Sequence, residues 1–178
     1  MSLSACAAIV QAGDPERFRA TMAAPVQARA RLWPLYAFNV EVARAPWVSQ
    51  EPMIGAMRLQ WWADVLDEIA QGGPVRRHEV STPLAQVLDA TGARILSAGV
   101  EARHWDLERE AFADTQALWA HLDATAGGLL WAAVRACEAA PGAGAEAGLC
   151  NVRRVPGKTR VVGVMMAAQE QRHLLILE

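Results

Sequence analysis

The chain has 178 residues, 53% of them hydrophobic and 20% charged, with a formal net charge of −2 at pH 7. A domain of this size buries about 70% of its unfolded-chain surface, and so apolar a composition excludes a disordered chain. The near-neutral charge excludes an overall attraction to nucleic acid or anionic lipid.

Cys6, Cys137 and Cys150 are odd in number and lack C-x-x-C spacing, so they read as buried thiols of a reducing compartment rather than a disulfide framework. No segment reaches the roughly 18 apolar residues of a membrane-spanning helix. The first residues, Met1 to Ala12, lack a basic n-region and a cleavage site, and Asp14 and Glu16 argue against a transit peptide. The expectation is a soluble, cytoplasmic protein, with contact at most to the periphery of a membrane.

Helix signals run along most of the chain. Asp14-Pro15-Glu16 reads as N-cap, first-turn proline and first-turn acid, opening a helix to about Ala23. Pro25 opens a second helix in which Leu32, Leu35, Tyr36, Asn39 and Ala43 share a stripe; Pro34 is expected to kink or divide it, and Pro46 ends it. From Glu51-Pro52, Ile54, Met57, Trp61, Val65 and Ile69 recur every three to four residues, widened by Trp62 and Leu66, with Arg58, Asp64, Asp67, Glu68 and Gln71 opposite. Gly72-Gly73-Pro74 stops that helix. Further helices are expected from Thr82-Pro83 to Leu96, from Gly99 to about Phe112, and from Asp114 to Ala139, the last with Gly127-Gly128 in its middle where a neighbouring helix or a ligand comes close. Val161 to Ala168 reads as strand or helix. The fold class is all-α.

The motifs of nucleotide-binding loops, serine hydrolases and zinc proteases are missing, and His78, His104, His121 and His173 have no metal-ligand spacing. Asp64 with Asp67 and Glu68, and Asp106 with Glu110, have a spacing that suits a divalent metal, but they lie opposite apolar stripes, where a solvated helix face is the favoured reading. Arg103 and Asp106, three apart, also suit a simple ion pair. The aromatic groups Trp33 to Phe38, Trp61-Trp62, and Trp105 with Phe112, Trp119 and Trp131 fit either core packing or the wall of an apolar cavity. Arg153, Arg154, Lys158 and Arg160 form a basic cluster without interleaved aromatics, which disfavours nucleic acid.

Five segments in order resemble the squalene/phytoene synthase family: Leu35-Tyr36-Ala37-Phe38-Asn39, Met57-Arg58-Leu59-Gln60-Trp61-Trp62, Arg103-His104-Trp105-Asp106-Leu107, Leu118 through Gly127, and Leu149-Cys150-Asn151-Val152-Arg153-Arg154. Phe38 to Ala43, Ser49-Gln50-Glu51 and Ile54 to Trp61 resemble its complex I assembly factor branch in particular. The resemblance implies an isoprenoid synthase-type helical bundle over residues 1–158, followed by a divergent tail, 159–178. Relative to the family, the bundle is expected to be truncated at its C-terminal end.

In the family's reaction, two aspartate-rich helices bind Mg²⁺ and stabilise a departing diphosphate. The positions aligned with the first acidic motif hold Ala43, Arg44 and Trp47, and those of the second hold Val155 and Thr159. The expected role is therefore non-catalytic: assembly of a respiratory complex or lipid handling, with respiratory-complex subunits and a prenyl or other lipid ligand as partners. No metal and no cofactor is expected on that reading. The alternative is a prenyltransferase condensing prenyl diphosphates with Mg²⁺. The residues expected to line a pocket or contact a diphosphate are Tyr36, Asn39, Glu41, Arg58, Trp61, Arg103, Asp106, Asn151 and Arg154.

Overall fold

Capping and punctuation place most helix ends where the sequence expects them. In the computed structural model, which describes residues 3–138, the Asp14 carboxylate accepts a hydrogen bond from the Arg17 backbone N–H at 2.8 Å and starts the helix Pro15–Met22. The elements among the described residues are α1 (Leu3–Gly13), α2 (Pro15–Met22), α3 (Val26–Arg44), a 3₁₀ turn (Ala45–Trp47), α4 (Pro52–Ala70), α5 (Ser81–Val87), α6 (Ala90–Ala102), a second 3₁₀ turn (Arg103–Leu107), α7 (Thr115–Leu122), a π-helical turn (Asp123–Gly127) and α8 (Gly128–Glu138). The expectations for Cys150, Asn151, Arg154, the basic cluster, the 161–168 run and the boundary at residue 158 lie outside the described residues.

The centre of the bundle is α3. It buries Leu32, Trp33, Pro34, Leu35, Ala37, Phe38, Val40 and Val42, which point to several sides of the helix, and it contacts α1, α2, α4, α5 and α8. Each fully buried leucine or valine contributes about 1.5–3 kcal/mol of transfer free energy. Pro34 does not divide α3; the helix runs unbroken through it, its missing hydrogen bond offset by complete burial of the ring. Phe18 of α2 stacks on Trp33, and Phe38 meets Trp62 of α4 edge-on, both with ring centroids 5.2 Å apart.

The expected apolar stripe of α4 is out of phase at its start. The buried residues are Gly55, Leu59, Trp62, Val65, Leu66 and Ile69, whereas Ile54 and Met57 face solvent and Trp61 is half-buried. The reason is Gly55. A Cβ there would lie 2.5 Å from Leu107 Cδ2, 3.2 Å from the Ala45 carbonyl and 3.3 Å from Pro46 Cα. The closest packing falls on the smallest side chain, which a count of large apolar residues overlooks.

Other departures are also local. The segment Leu3–Gly13, not expected to be helical, forms α1 and buries Cys6 and Val10. The helix expected from Thr82-Pro83 to Leu96 is broken at Leu88, because Asp89 caps α6 by accepting from Gly92 N–H at 2.6 Å. No separate helix spans Gly99 to Phe112: Gly99 belongs to α6, and Arg109 sits in the left-handed region (φ 55°) within a non-helical loop. Asp114 does cap the following helix, accepting from Ala117 N–H at 2.7 Å, but the helix passes through the π turn before α8. There a neighbouring helix comes close, as the paired glycines suggest: a Cβ on Gly128 would lie 3.4 Å from Ile95 Cγ2 of α6.

Replacing Gly55→Val inserts methyl groups against the backbone of the Ala45–Trp47 turn. The expected result is a loss of about 1–3 kcal/mol of stability by overpacking, read as a lowered denaturant midpoint with unchanged helical circular dichroism.

Candidate functional site

Two of the family-like segments meet beside α4: the Arg103–Leu107 turn packs on it, and the end of α7 brings His121 to that turn. Leu107 packs on Gly55, which brings the turn against α4. Within the turn, Arg103 Nη1 donates to Asp106 Oδ2 at 3.1 Å, and Asp106 Oδ1 lies 3.6 Å from His121 Nε2 of α7. The three side chains are only 11–12% exposed. Trp105 stacks on Phe112, with centroids 3.8 Å apart and planes 9° from parallel, and Phe112 lies 5.2 Å from the His121 ring. This is a shielded carboxylate between two cationic or potentially cationic partners, under an aromatic cover. Removal from water strengthens such pairing, provided each charge keeps its partner.

The structure thus joins Arg103 to Asp106, as their spacing allows, and Trp105 to Phe112, which the sequence groups together; it adds His121, which sequence reasoning did not assign to a site. The His121 signal is a contact across the 108–114 loop, with no local pattern to mark it. The alternative pairing of Asp106 with Glu110 on one helix face is corrected: Glu110 lies in the loop and is exposed.

Tyr36 is half-buried on α3, with the Arg17 guanidinium 5.3 Å from its ring centroid. Arg17 is itself buried, donates from Nη1 to Asp14 at 2.7 Å, and leaves its Nε without an acceptor among the described residues. Asn39 and Glu41 are half-buried further along α3, and Arg58 is exposed on α4. Trp61 lies edge-on to Trp62 and to His78, and the Arg76 guanidinium sits 5.7 Å from its ring centroid.

Arg76 also engages the α4 acids. It lies 2.6 Å from Glu68 Oε1 and 3.3 Å from Asp64 Oδ2, so these carboxylates clamp the 71–80 loop. The Arg76 hydrogen bonds hold the Glu68 carboxyl below its ordinary value. A groove of about 310 Å³ between α4 and α6 is lined by Leu66, Asp67, Ala70, Ala93, Arg94, Ser97, Ala98 and Glu101; of these, Asp67 alone is among the candidate carboxylates, and none is among the expected pocket residues.

The donor set at the end of α3 does not suit Mg²⁺. Ala43, Arg44 and Trp47 supply no carboxylate there, and no group of three or more His, Cys, Asp or Glu among the described residues could hold a metal ion.

A helical bundle with the Tyr36 segment on its central helix is an isoprenoid synthase-type architecture. The family model for squalene/phytoene synthase matches residues 10–149, and the chain belongs to that family. It is similar to the NADH dehydrogenase (ubiquinone) complex I, assembly factor 6 homolog of Drosophila melanogaster, with 34% identity over 94 residues, covering 52% of this chain and 28% of that protein. It is also similar to the NADH dehydrogenase (ubiquinone) complex I, assembly factor 6 of Bos taurus, 26% identical, and of Homo sapiens, 25% identical, each over 138 residues, 71% of this chain and 38% of theirs. The chain therefore spans well under half the length of these curated relatives. No solved structure matches it.

Two consequences can be measured. Asp106→Asn removes the carboxylate shared by Arg103 and His121, and is expected to lower stability by roughly 2–3 kcal/mol in chemical denaturation. The Glu68 contribution has the sign of a depressed acid: it is present above 4.5, the ordinary glutamate value, and is lost as pH falls through the lower folded-state value. Acidification should therefore change Trp61 emission as Arg76 is released, and Glu68→Gln should abolish that acid transition.

Proposed function

We propose that this chain is a non-catalytic member of its family that serves as an assembly factor for a respiratory NADH dehydrogenase. One observation carries the reading. The helical core around α3 is intact, while the positions aligned with the family's first acidic motif hold Ala43, Arg44 and Trp47, which offer no ligand to a diphosphate-bound metal. The chain's similarity to complex I assembly factor 6 proteins supports the same direction.

A shielded Arg103–Asp106–His121 cluster suits a rigid scaffold, since its charges are spent on each other rather than aimed at a substrate. No helix among the described residues is long and apolar enough to cross a membrane. On this reading the partners are subunits of the complex, met at the cytoplasmic periphery of the membrane that carries it.

The test is genetic and biochemical. Cells lacking the gene should show less assembled NADH dehydrogenase on native gels with unchanged isoprenoid content, and the chain restored from a plasmid should return assembly. Normal assembly with depleted head-to-head prenyl products would overturn the proposal.

A further inference from the structure

Among the described residues, the corner between α3 and α4 leaves a run of apolar side chains uncovered: Trp47 is 44% exposed, Val48 48%, Met53 70%, Ile54 38% and Met57 66%. Met53 and Met57 are one helical turn apart, on the side of α4 away from the buried Gly55 and Leu59. Together they expose on the order of 500 Å² of apolar surface, at the upper end for the largest patch on a monomer. The rim carries both signs. Arg44, Glu51 and Arg58 are exposed around it. The Arg109 guanidinium lies 5.6 Å from the Trp47 ring centroid and donates to Gln50 Oε1 at 3.4 Å, with Glu108 and Glu110 on either side in sequence.

We infer that this corner is a docking surface for an apolar helix of a protein partner, edged by charges of both signs that meet its mixed rim. The inference rests on the assembly reading above, which makes that partner a respiratory-complex subunit. Three features select the occupant. A bilayer surface recruits clusters of four to eight basic residues, whereas here Arg44, Arg58 and Arg109 are offset by Glu51, Glu108 and Glu110. A stable dimer interface needs about 800 Å² from each copy, more than the patch offers. An area of this size belongs to transient protein contacts. Methionine side chains, flexible and polarizable, adapt to a partner that changes during assembly.

The experiment uses the full chain with a photocrosslinking amino acid at position 57, and separately the double variant Met53→Glu/Met57→Glu. The probe is NADH dehydrogenase and its assembly intermediates, solubilised in detergent from the cells that make the chain. Both substituted positions face solvent, and an unchanged melting temperature verifies the fold. The expected results are a crosslink to an identified subunit of the complex and at least tenfold weaker association of the double variant. Association of the variant equal to that of the original chain would overturn the docking surface and leave the assembly reading standing. Absence of any association by the original chain would overturn both. Crosslinks to a second copy or to residues 139–178 of the same chain, or flotation with phosphatidylglycerol vesicles that the double variant loses, would each assign the corner to another occupant and overturn the inference.

Discussion

Half of this bundle packs on α3, a helix with buried side chains on several faces. A helix so enclosed cannot carry unpaired charge along its middle without a desolvation cost of several kcal/mol per ion. Its polar residues accordingly sit at half-buried edges, as with Tyr36, Asn39 and Glu41, or at its end, as with Arg44. Leu32, Leu35, Phe38 and Val42 need no acid at residue 43 to be buried. Fold and chemistry are separable in this way because the core is held by apolar area and the reaction by a few placed groups.

The second constraint is close approach at small residues. Leu107 settles on Gly55 and draws the Arg103–Leu107 turn against α4. Gly99 of α6 faces the π turn, where an added Cβ would lie 3.0 Å from the Ala124 carbonyl oxygen. These contacts hold the Asp106 cluster between α4, α6 and α7, and they deliver His121 to a carboxylate fifteen positions earlier in the chain. A π turn beside a buried ion pair is a geometry that often marks functional sites in helices. In this chain Arg103 and His121 both reach the Asp106 carboxylate.

Much of this was legible from residue order, where the cause is local. Asp14 and Asp114 mark helix starts because an aspartate side chain reaches backbone donors within one turn, and Gly72-Gly73-Pro74 ends α4 because proline and a glycine at φ 68° cannot continue it. Asp89 was available by the same rule and went unread, since the apolar pattern runs across it. The phase of α4 was not legible: Ile54 and Met57 fit a 3.6-residue period as well as Leu59 and Trp62 do, and the decision belongs to Leu107, fifty-two residues past Gly55. His121 joined the site only through the fold. The Arg103–Asp106 pair was readable because three residues along a helical turn bring the two side chains together.

The central claim is that the bundle has kept its packing without the metal-assisted diphosphate chemistry of its family. Calorimetric titration of the folded protein with farnesyl diphosphate, with and without Mg²⁺, tests it most directly. The account predicts no Mg²⁺-dependent binding while the protein retains a cooperative melt. Saturable binding that appears only with Mg²⁺ would contradict it, and would mean that a metal platform exists despite Ala43, Arg44 and Trp47.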